Sequence, residues 1–273
     1  MADIATVLRG ARAAALAALV AVPFAAAAPA APAAPTIDAQ ALLARADAVR
    51  NPAGSFSVRI ALSEYRRKSL SATAVLAVYA KPAPTSGQYN NVVRYLQPSQ
   101  DADKLLLRNG VDLWFFDPSS KASIRISPQA RLLGQASNGD VMSTNLARDY
   151  TATVVATEAV TDGGGATRQA VHLALRAQRP DVTYARADYW IDGASAQPVK
   201  AQFRTADGRL LKTAFFRRFQ PVLGKVRPTQ TVIIDGLNPD WVTVLDQTQY
   251  AQRDIPQTWL QRDFLPRFTA ATN

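Results

Sequence analysis

Histidine and cysteine, the side chains that most often act as base, nucleophile or metal ligand, are nearly missing from this chain of 273 residues. It has one histidine, His172, and no cysteine. A cysteine nucleophile is therefore excluded, and a zinc site, which uses clustered cysteine and histidine ligands, is nearly excluded. His172 falls on the polar side of an alternating segment and has no nucleophile motif beside it. This pattern favours an ordinary surface histidine over the base of a catalytic triad.

The acidic residues are scattered, and most lie in turns such as Asp192-Gly193, Asp207-Gly208 and Asp235-Gly236. A paired-carboxylate hydrolase stays open, because pairs that form only in space are not visible in sequence. The turn at 162–165 (DGGG) lacks the lysine and the hydroxyl residue of a phosphate-binding loop. We therefore expect a binding protein and not an enzyme, with no cofactor and no metal.

The first 28 residues have the order of an export signal. Arg9 and Arg12 are followed by an apolar run over 13–22 and by small residues over 25–28. The run is shorter than the roughly 20 residues that a membrane-spanning helix needs. We expect a cleavable signal peptide over 1–28, with cleavage after Ala28 or Ala30 left open, an Ala/Pro spacer over 29–36, and one domain over 37–273 in the periplasm.

The chain is basic, with 31 Lys and Arg against 21 Asp and Glu and a net charge of +10. One interpretation is attraction to anionic lipid or to an acidic partner surface; the other is that the charges are simply solvated. Nucleic acid is not expected outside the cytoplasm. Arg66, Arg67 and Lys68 lie together near one strand end, and they form either a docking patch for a partner or a solvated turn.

The expected elements are one helix near the start and a long series of strands. Asp38 is positioned to cap a helix that runs to about Arg50. Asn109-Gly110, between two apolar runs, is a strong hairpin signal. The alternation typical of strands is absent over 127–148, where we expect short helices and loops. The strands are expected over 56–65, 71–79, 88–96, 105–116, 122–126, 150–157, 168–176, 183–191, 199–205, 210–219, 229–235 and 241–250.

The fold class is α+β and mainly β, because consecutive hairpin turns at this spacing indicate an antiparallel sandwich or barrel. Most strands alternate apolar and polar residues. The segment 113–116 (LWFF) is apolar at every position, so both faces of this strand are apolar. A sheet curved around an apolar interior and partly covered by helices accounts for both kinds of strand.

Several stretches, in their order and spacing, resemble the LolA-like outer membrane lipoprotein-sorting proteins. They are 110–118 (GVDLWFFDP), 139–150, 189–192 (YWID), 198–200 (PVK) and 207–213 (DGRLLKT). The resemblance covers about residues 37–268. It implies an unclosed antiparallel β-barrel of about 11 strands around a hydrophobic cavity, with short lid helices. It also implies a monomeric periplasmic carrier of lipids or lipoproteins, from a branch often associated with RND-type transporters in the inner membrane.

The residues expected to bind acyl chains are apolar, and for each of them ordinary core packing is the alternative. They are Leu113, Trp114 and Phe116 in the central hairpin, Leu132, Leu133, Val141 and Met142 in the lid, and Phe215 in a later strand. We expect the segment 127–148 to be a mobile cover over the cavity mouth. The alternative function is a lipid-sensing regulatory module of the RseB type. The cargo is left open between lipoprotein, phospholipid, hopanoid and glycolipid.

Overall fold

The computed structural model describes residues 36–269. The predicted signal peptide and residues 29–35 of the predicted spacer lie outside this range. Over the described residues, no helix is both long enough and apolar enough to cross a bilayer.

The first element is the helix α1, Ala39–Arg50, as predicted. The Asp38 side chain caps it by accepting a hydrogen bond of 3.0 Å from the Ala41 backbone N–H. Leu42, Leu43 and Ala46 are buried on its inner side, so the helix packs one face onto the sheet. Asn51 ends it in an extended conformation.

Fifteen strands make up most of the remaining described chain. They are β1 (Phe56–Arg66), β2 (Ser69–Pro82), β3 (Tyr89–Gln97), β4 (Leu105–Asn109), β5 (Asp112–Asp117), β6 (Ala122–Arg125), β7 (Arg131–Leu133), β8 (Ala136–Ser137), β9 (Tyr150–Thr161), β10 (Thr167–Ala177), β11 (Arg186–Ile191), β12 (Pro198–Arg204), β13 (Leu210–Val222), β14 (Lys225–Asp235) and β15 (Trp241–Gln252). The predicted hairpin at Asn109-Gly110 joins β4 and β5, and Gly110 has the positive φ of 61° that the turn requires.

Thirteen strands form a single antiparallel sheet in the order β6-β5-β4-β3-β2-β1-β15-β14-β13-β12-β11-β10-β9. The pairing of β1 with β15 joins two meanders, 56–125 and 150–252, and so connects the start of the strand series to its end. The strands β6 and β9 stand at the two edges of the order, so the sheet is not closed into a barrel. The predicted unclosed antiparallel architecture is confirmed, although the sheet has more strands than the 11 or so expected.

The segment 127–148 contains the short hairpin β7–β8, the 3-10 turn Asn138–Val141 and the start of the helix α2, Leu146–Asp149. The strand interruption is therefore confirmed, but the hairpin within it was not predicted. Its two strands have three and two residues, which is too short for an alternation to be visible.

The doubly apolar strand β5 has both faces covered. Leu113 belongs to the main core on the inner, concave face of the sheet, and Phe116 belongs to a second cluster on the outer face. Two C-terminal 3-10 helices, Gln257–Leu260 and Arg262–Arg267, supply Leu260 and Leu265 to that second cluster. The outer face is thus apolar here because the end of the described chain folds back over it.

Candidate functional site

A cavity lies between the concave face of the sheet and the segment that crosses it. Its floor is built by alternating residues of β1 and of the strands β11–β15, since residues i and i+2 of a strand share one face. Its cover is the segment 139–146, and α1 closes one side. The floor includes Phe56, Val58, Ile60, Ala214, Phe216, Ile233 and Leu245. The wall facing the cavity is therefore mostly aliphatic and aromatic.

The cavity is narrow. Its volume is about 120 Å³. An engineered apolar cavity of about 150 Å³ takes up one benzene molecule, so this cavity holds a group of similar size in its present shape. A longer acyl chain therefore requires the cover to move.

Two of the predicted cover residues line the cavity. Val141 and Met142 are both buried, and both face the apolar floor. Gly139 lets the cover approach the loop before β11 closely, because a Cβ at this position would overlap the side chain of Thr183. Val141 and Met142, predicted as part of a cover, therefore do lie in the segment that covers the cavity.

The other six predicted residues do not line this cavity. Leu113, Leu132 and Leu133 pack with the main core. Trp114 and Phe116 lie on the outer face of the sheet, where Trp114 stacks under the Arg262 guanidinium at 4.4 Å. Phe215 lies between the cavity residues Ala214 and Phe216 on β13, so it is on the opposite face of the strand. The lipid contacts expected of all eight residues stay predictions.

Sequence reasoning missed several lining residues, some of which carried a signal. Phe56, Val58 and Ile60 share one parity of β1, and the alternation already placed them on a common apolar face. Arg50 and Tyr189 also line the cavity, and no pattern in the sequence distinguishes them from other polar residues.

Side-chain amides hold one end of the cover. Asn91 accepts a hydrogen bond from the Ser143 backbone N–H and donates one to the Ser143 carbonyl, both at 3.0 Å. Asn51 donates to the Thr144 carbonyl at 2.9 Å, and Gln88 accepts from the Asn145 N–H at 2.7 Å. These side chains come from β3 and its flanks and from the end of α1. They pair with the backbone N–H and C=O groups of the cover, which have no strand partner there.

A buried polar cluster holds the other end of the cover, at Asp140, to the sheet. Asp140 forms an ion pair with Lys212 on β13 and accepts a hydrogen bond of 2.9 Å from the Tyr184 hydroxyl. Ser137 contributes its backbone N–H to Asp140 at 2.7 Å. Burial raises the pKa of Tyr184 well above its ordinary value, and Asp140 adds to the shift. The Tyr184 hydroxyl therefore stays protonated and remains a hydrogen-bond donor to Asp140.

Arg227 anchors the end of α1. Its side chain is almost completely buried, and it donates to the carbonyls of Ala48, Val49 and Asn51 at 3.1, 2.7 and 2.7 Å. The last carbonyls of a helix have no partner within the helix, and a cation there also meets the negative end of the helix dipole. Burial lowers the pKa of Arg227, with Tyr250 and Tyr89 opposing the shift.

His172 lies outside the cavity, on the outer face of the sheet. It stacks on Trp190 with 4.3 Å between ring centroids and lies 3.3 Å from the Glu158 carboxylate and 3.2 Å from that of Asp188. Its side chain is 15% exposed, less than the sequence interpretation implied, because the stacked indole covers it. Over residues 36–269, no group of three or more His, Cys, Asp or Glu side chains is arranged to hold a metal ion.

A LolA superfamily protein from Nitrosomonas europaea has the same fold, with 31% sequence identity, a TM-score of 0.75, and coverage of 84% of this chain and 100% of that one. The chain belongs to the LolA superfamily. A domain from Vibrio parahaemolyticus assigned as an outer membrane lipoprotein-sorting protein shares the fold at 16% identity and a TM-score of 0.70, covering 84% of this chain and 98% of its own. A DUF1329 family protein from Desulfovibrio piger does so at 18% identity and 0.69, covering 83% and 97%.

A family model described as "uncharacterized protein" matches residues 87–267 of this LolA superfamily member. The comparison with curated proteins gives no match. The likeness at 31% identity carries the family assignment, and the more distant structures support the fold alone.

Proposed function

We propose that this LolA superfamily protein is a periplasmic carrier that takes acyl chains of a lipid or lipoprotein into its cavity and moves them between membranes. The observation that carries the proposal is the covered apolar cavity on the concave face of the sheet. Burial of each methylene contributes about 0.8 kcal/mol, so an acyl chain that buries roughly ten methylenes gains about 8 kcal/mol before the cost of association. Family membership supports the same role.

The first test is native mass spectrometry of the protein purified from its own host, together with uptake of a fluorescent fatty acid. We expect one lipid per protein. A protein with no extractable lipid and no uptake of the probe would contradict the carrier proposal.

A blocking variant with a matched control connects uptake to this cavity. Ala214 is 2% exposed and lines the cavity, whereas Ala170 is 1% exposed and lies in a small cluster on the outer face. Ala214→Phe and Ala170→Phe therefore place the same added volume into equally buried sites, each at a stability cost of about 1–3 kcal/mol. We expect only Ala214→Phe to reduce uptake; equal loss in both variants would mean that destabilisation and not occlusion is measured.

An energised membrane partner, of the RND type that the resemblance implies, would give transport its direction. The basic turn Arg66–Lys68 is part of this proposal. Arg67 and Lys68 are exposed at positive φ, while Arg66 is paired with Glu64 at 2.9 Å and stacked on Trp241. We expect binding to an acidic periplasmic domain to weaken with rising salt, and less steeply in a triple glutamine variant. Stable binding to a signalling protein without lipid transfer would instead support the regulatory alternative.

A further inference from the structure

The cavity wall contains polar groups whose hydrogen-bonding capacity the protein does not use. In the part of the chain that the structure describes, four buried side-chain polar atoms have no partner, and two of them, Arg50 Nε and the Tyr189 hydroxyl, belong to cavity-lining residues. Tyr189 is only 1% exposed. An unpaired buried donor costs about 1–3 kcal/mol, which makes two of them in one cavity a feature that needs an explanation.

The two groups line the same cavity. Arg50 is the last residue of α1, and Tyr189 lies on β11. Burial lowers the pKa of Arg50, but Tyr189 and Asp47 outweigh burial and leave the pKa raised. Burial likewise raises the pKa of Tyr189, with Arg50 opposing the shift. The guanidinium is thus charged and the phenol protonated at neutral pH, so both groups present donors.

The carboxylates in this wall and next to it are already used. Asp47 accepts from Arg50 at 2.9 Å and from the Ala147 backbone N–H at 2.8 Å. Asp140 is paired with Lys212, and Asp149 is paired with Arg179 at 3.0 Å. These carboxylates therefore need nothing from a bound molecule, whereas the two unpaired donors do.

We propose that Arg50 and Tyr189 form a subsite for the oxygen atoms at the head of an acyl chain, with the hydrocarbon lying along the apolar floor. The matching chemistry is an acceptor oxygen without a competing donor, which is found in the carboxylate of a free fatty acid and in the carbonyl of an acyl ester. A few placed polar groups in an apolar pocket fix the orientation of a ligand. This inference rests on the carrier proposal and specifies its cargo class.

The test compares three ligands with equal carbon number: a saturated fatty acid, its methyl ester and the alkane. Each displaces the fluorescent fatty acid from wild-type protein, from Tyr189→Phe and from Tyr79→Phe. Tyr79 is also buried, at 5% exposed, but it lies in the second cluster on the outer face of the sheet and does not line the cavity, which makes it the matched control. Tyr189→Phe keeps the ring that packs edge-on against Phe216, so the fold is retained.

We expect the acid and the ester to bind wild type more tightly than the alkane. Tyr189→Phe should weaken the acid and ester by about 3–10-fold, the range of one hydrogen bond, and leave the alkane unchanged. Tyr79→Phe should leave the binding of all three ligands unchanged. If the acid binds more tightly than the ester, the acceptor oxygen in the subsite belongs to a carboxylate. If the two bind equally, it belongs to an acyl carbonyl.

Two outcomes overturn the subsite, and they differ from failure of the carrier function. If the three ligands bind wild type equally, or if Tyr189→Phe weakens none of them or all of them alike, the subsite is wrong while the cavity still binds hydrocarbon. If wild type takes up neither the probe nor any of the three ligands, the carrier proposal fails and the subsite fails with it.

Discussion

Covalent closure of the cover is a direct test of whether cargo enters beneath it. A Cβ built at Gly139 on the cover would lie 3.0 Å from the Cβ of Thr183 in the loop before β11. Disulfides join Cβ atoms about 3.5–4.5 Å apart, so Gly139→Cys with Thr183→Cys places two thiols within reach after a shift of about 0.5 Å. The chain has no other cysteine, so only this pair can form.

The free energy of opening the cover follows from the contacts that Asp140 makes. Opening the cover there breaks the ion pair with Lys212 and the hydrogen bonds from Tyr184 and Ser137. Breaking a buried, hydrogen-bonded ion pair costs about 3–5 kcal/mol, so the open form is about one molecule in 10² to 10⁴. The crosslink closes a loop of about 45 residues, which stabilises the fold by about 4 kcal/mol less the strain of the shift.

The assay is the rate of uptake of a fluorescent fatty acid by the double variant, oxidised and then reduced. We expect oxidation to slow uptake roughly 10-fold or more, and reductant to restore it, because opening of a cover gates access to a closed site. The thermal midpoint, measured in parallel, should rise on oxidation. Uptake that is equally fast in the oxidised and reduced forms, with the disulfide verified by mass, would refute entry beneath 139–146.

Three further outcomes are expected. Replacing Arg227 by methionine should lower the free energy of unfolding in urea by about 2–4 kcal/mol, because two α1 carbonyls and the carbonyl of Asn51 lose their donor; a loss under about 1 kcal/mol would contradict this anchoring. Burial raises the pKa of Tyr95 and of Tyr250 to about 12, so the stability that each contributes is complete below its ordinary value of about 10 and is lost as pH rises through 12. Urea unfolding should therefore show a fall in stability between about pH 10 and 12 that is smaller in Tyr95→Phe, and an identical fall would argue against these shifts. Hydrogen exchange over 127–148 should be faster than at Leu173 in empty protein and should slow with cargo; equal protection would contradict a mobile cover.

The sequence alone determined the strand series, the first helix and the interruption. These features depend on neighbours in the chain, since alternation in β1, the capping Asp38 and the Asn109-Gly110 turn each act over a few residues. The absence of cysteine and the single histidine likewise excluded whole classes of site before any fold was known. Local patterns were sufficient for these conclusions because the physical causes are local.

Only the tertiary structure decided which apolar residues face the cavity. Alternation divides a strand into two faces but does not say which is concave, so Trp114 and Phe116 were expected to bind acyl chains, although they lie under the C-terminal turns on the outer face. The same holds for Phe215 beside the lining residue Phe216.

The polar features of the site were equally invisible. Asp140 meets Lys212 across 72 positions, and Arg227 meets α1 across more than 170. Such pairs form because burial forces each charge to find a partner, wherever in the chain that partner lies. Arg50 and Tyr189 are the converse case, two donors whose lack of a partner becomes apparent only when the whole wall around them is in place.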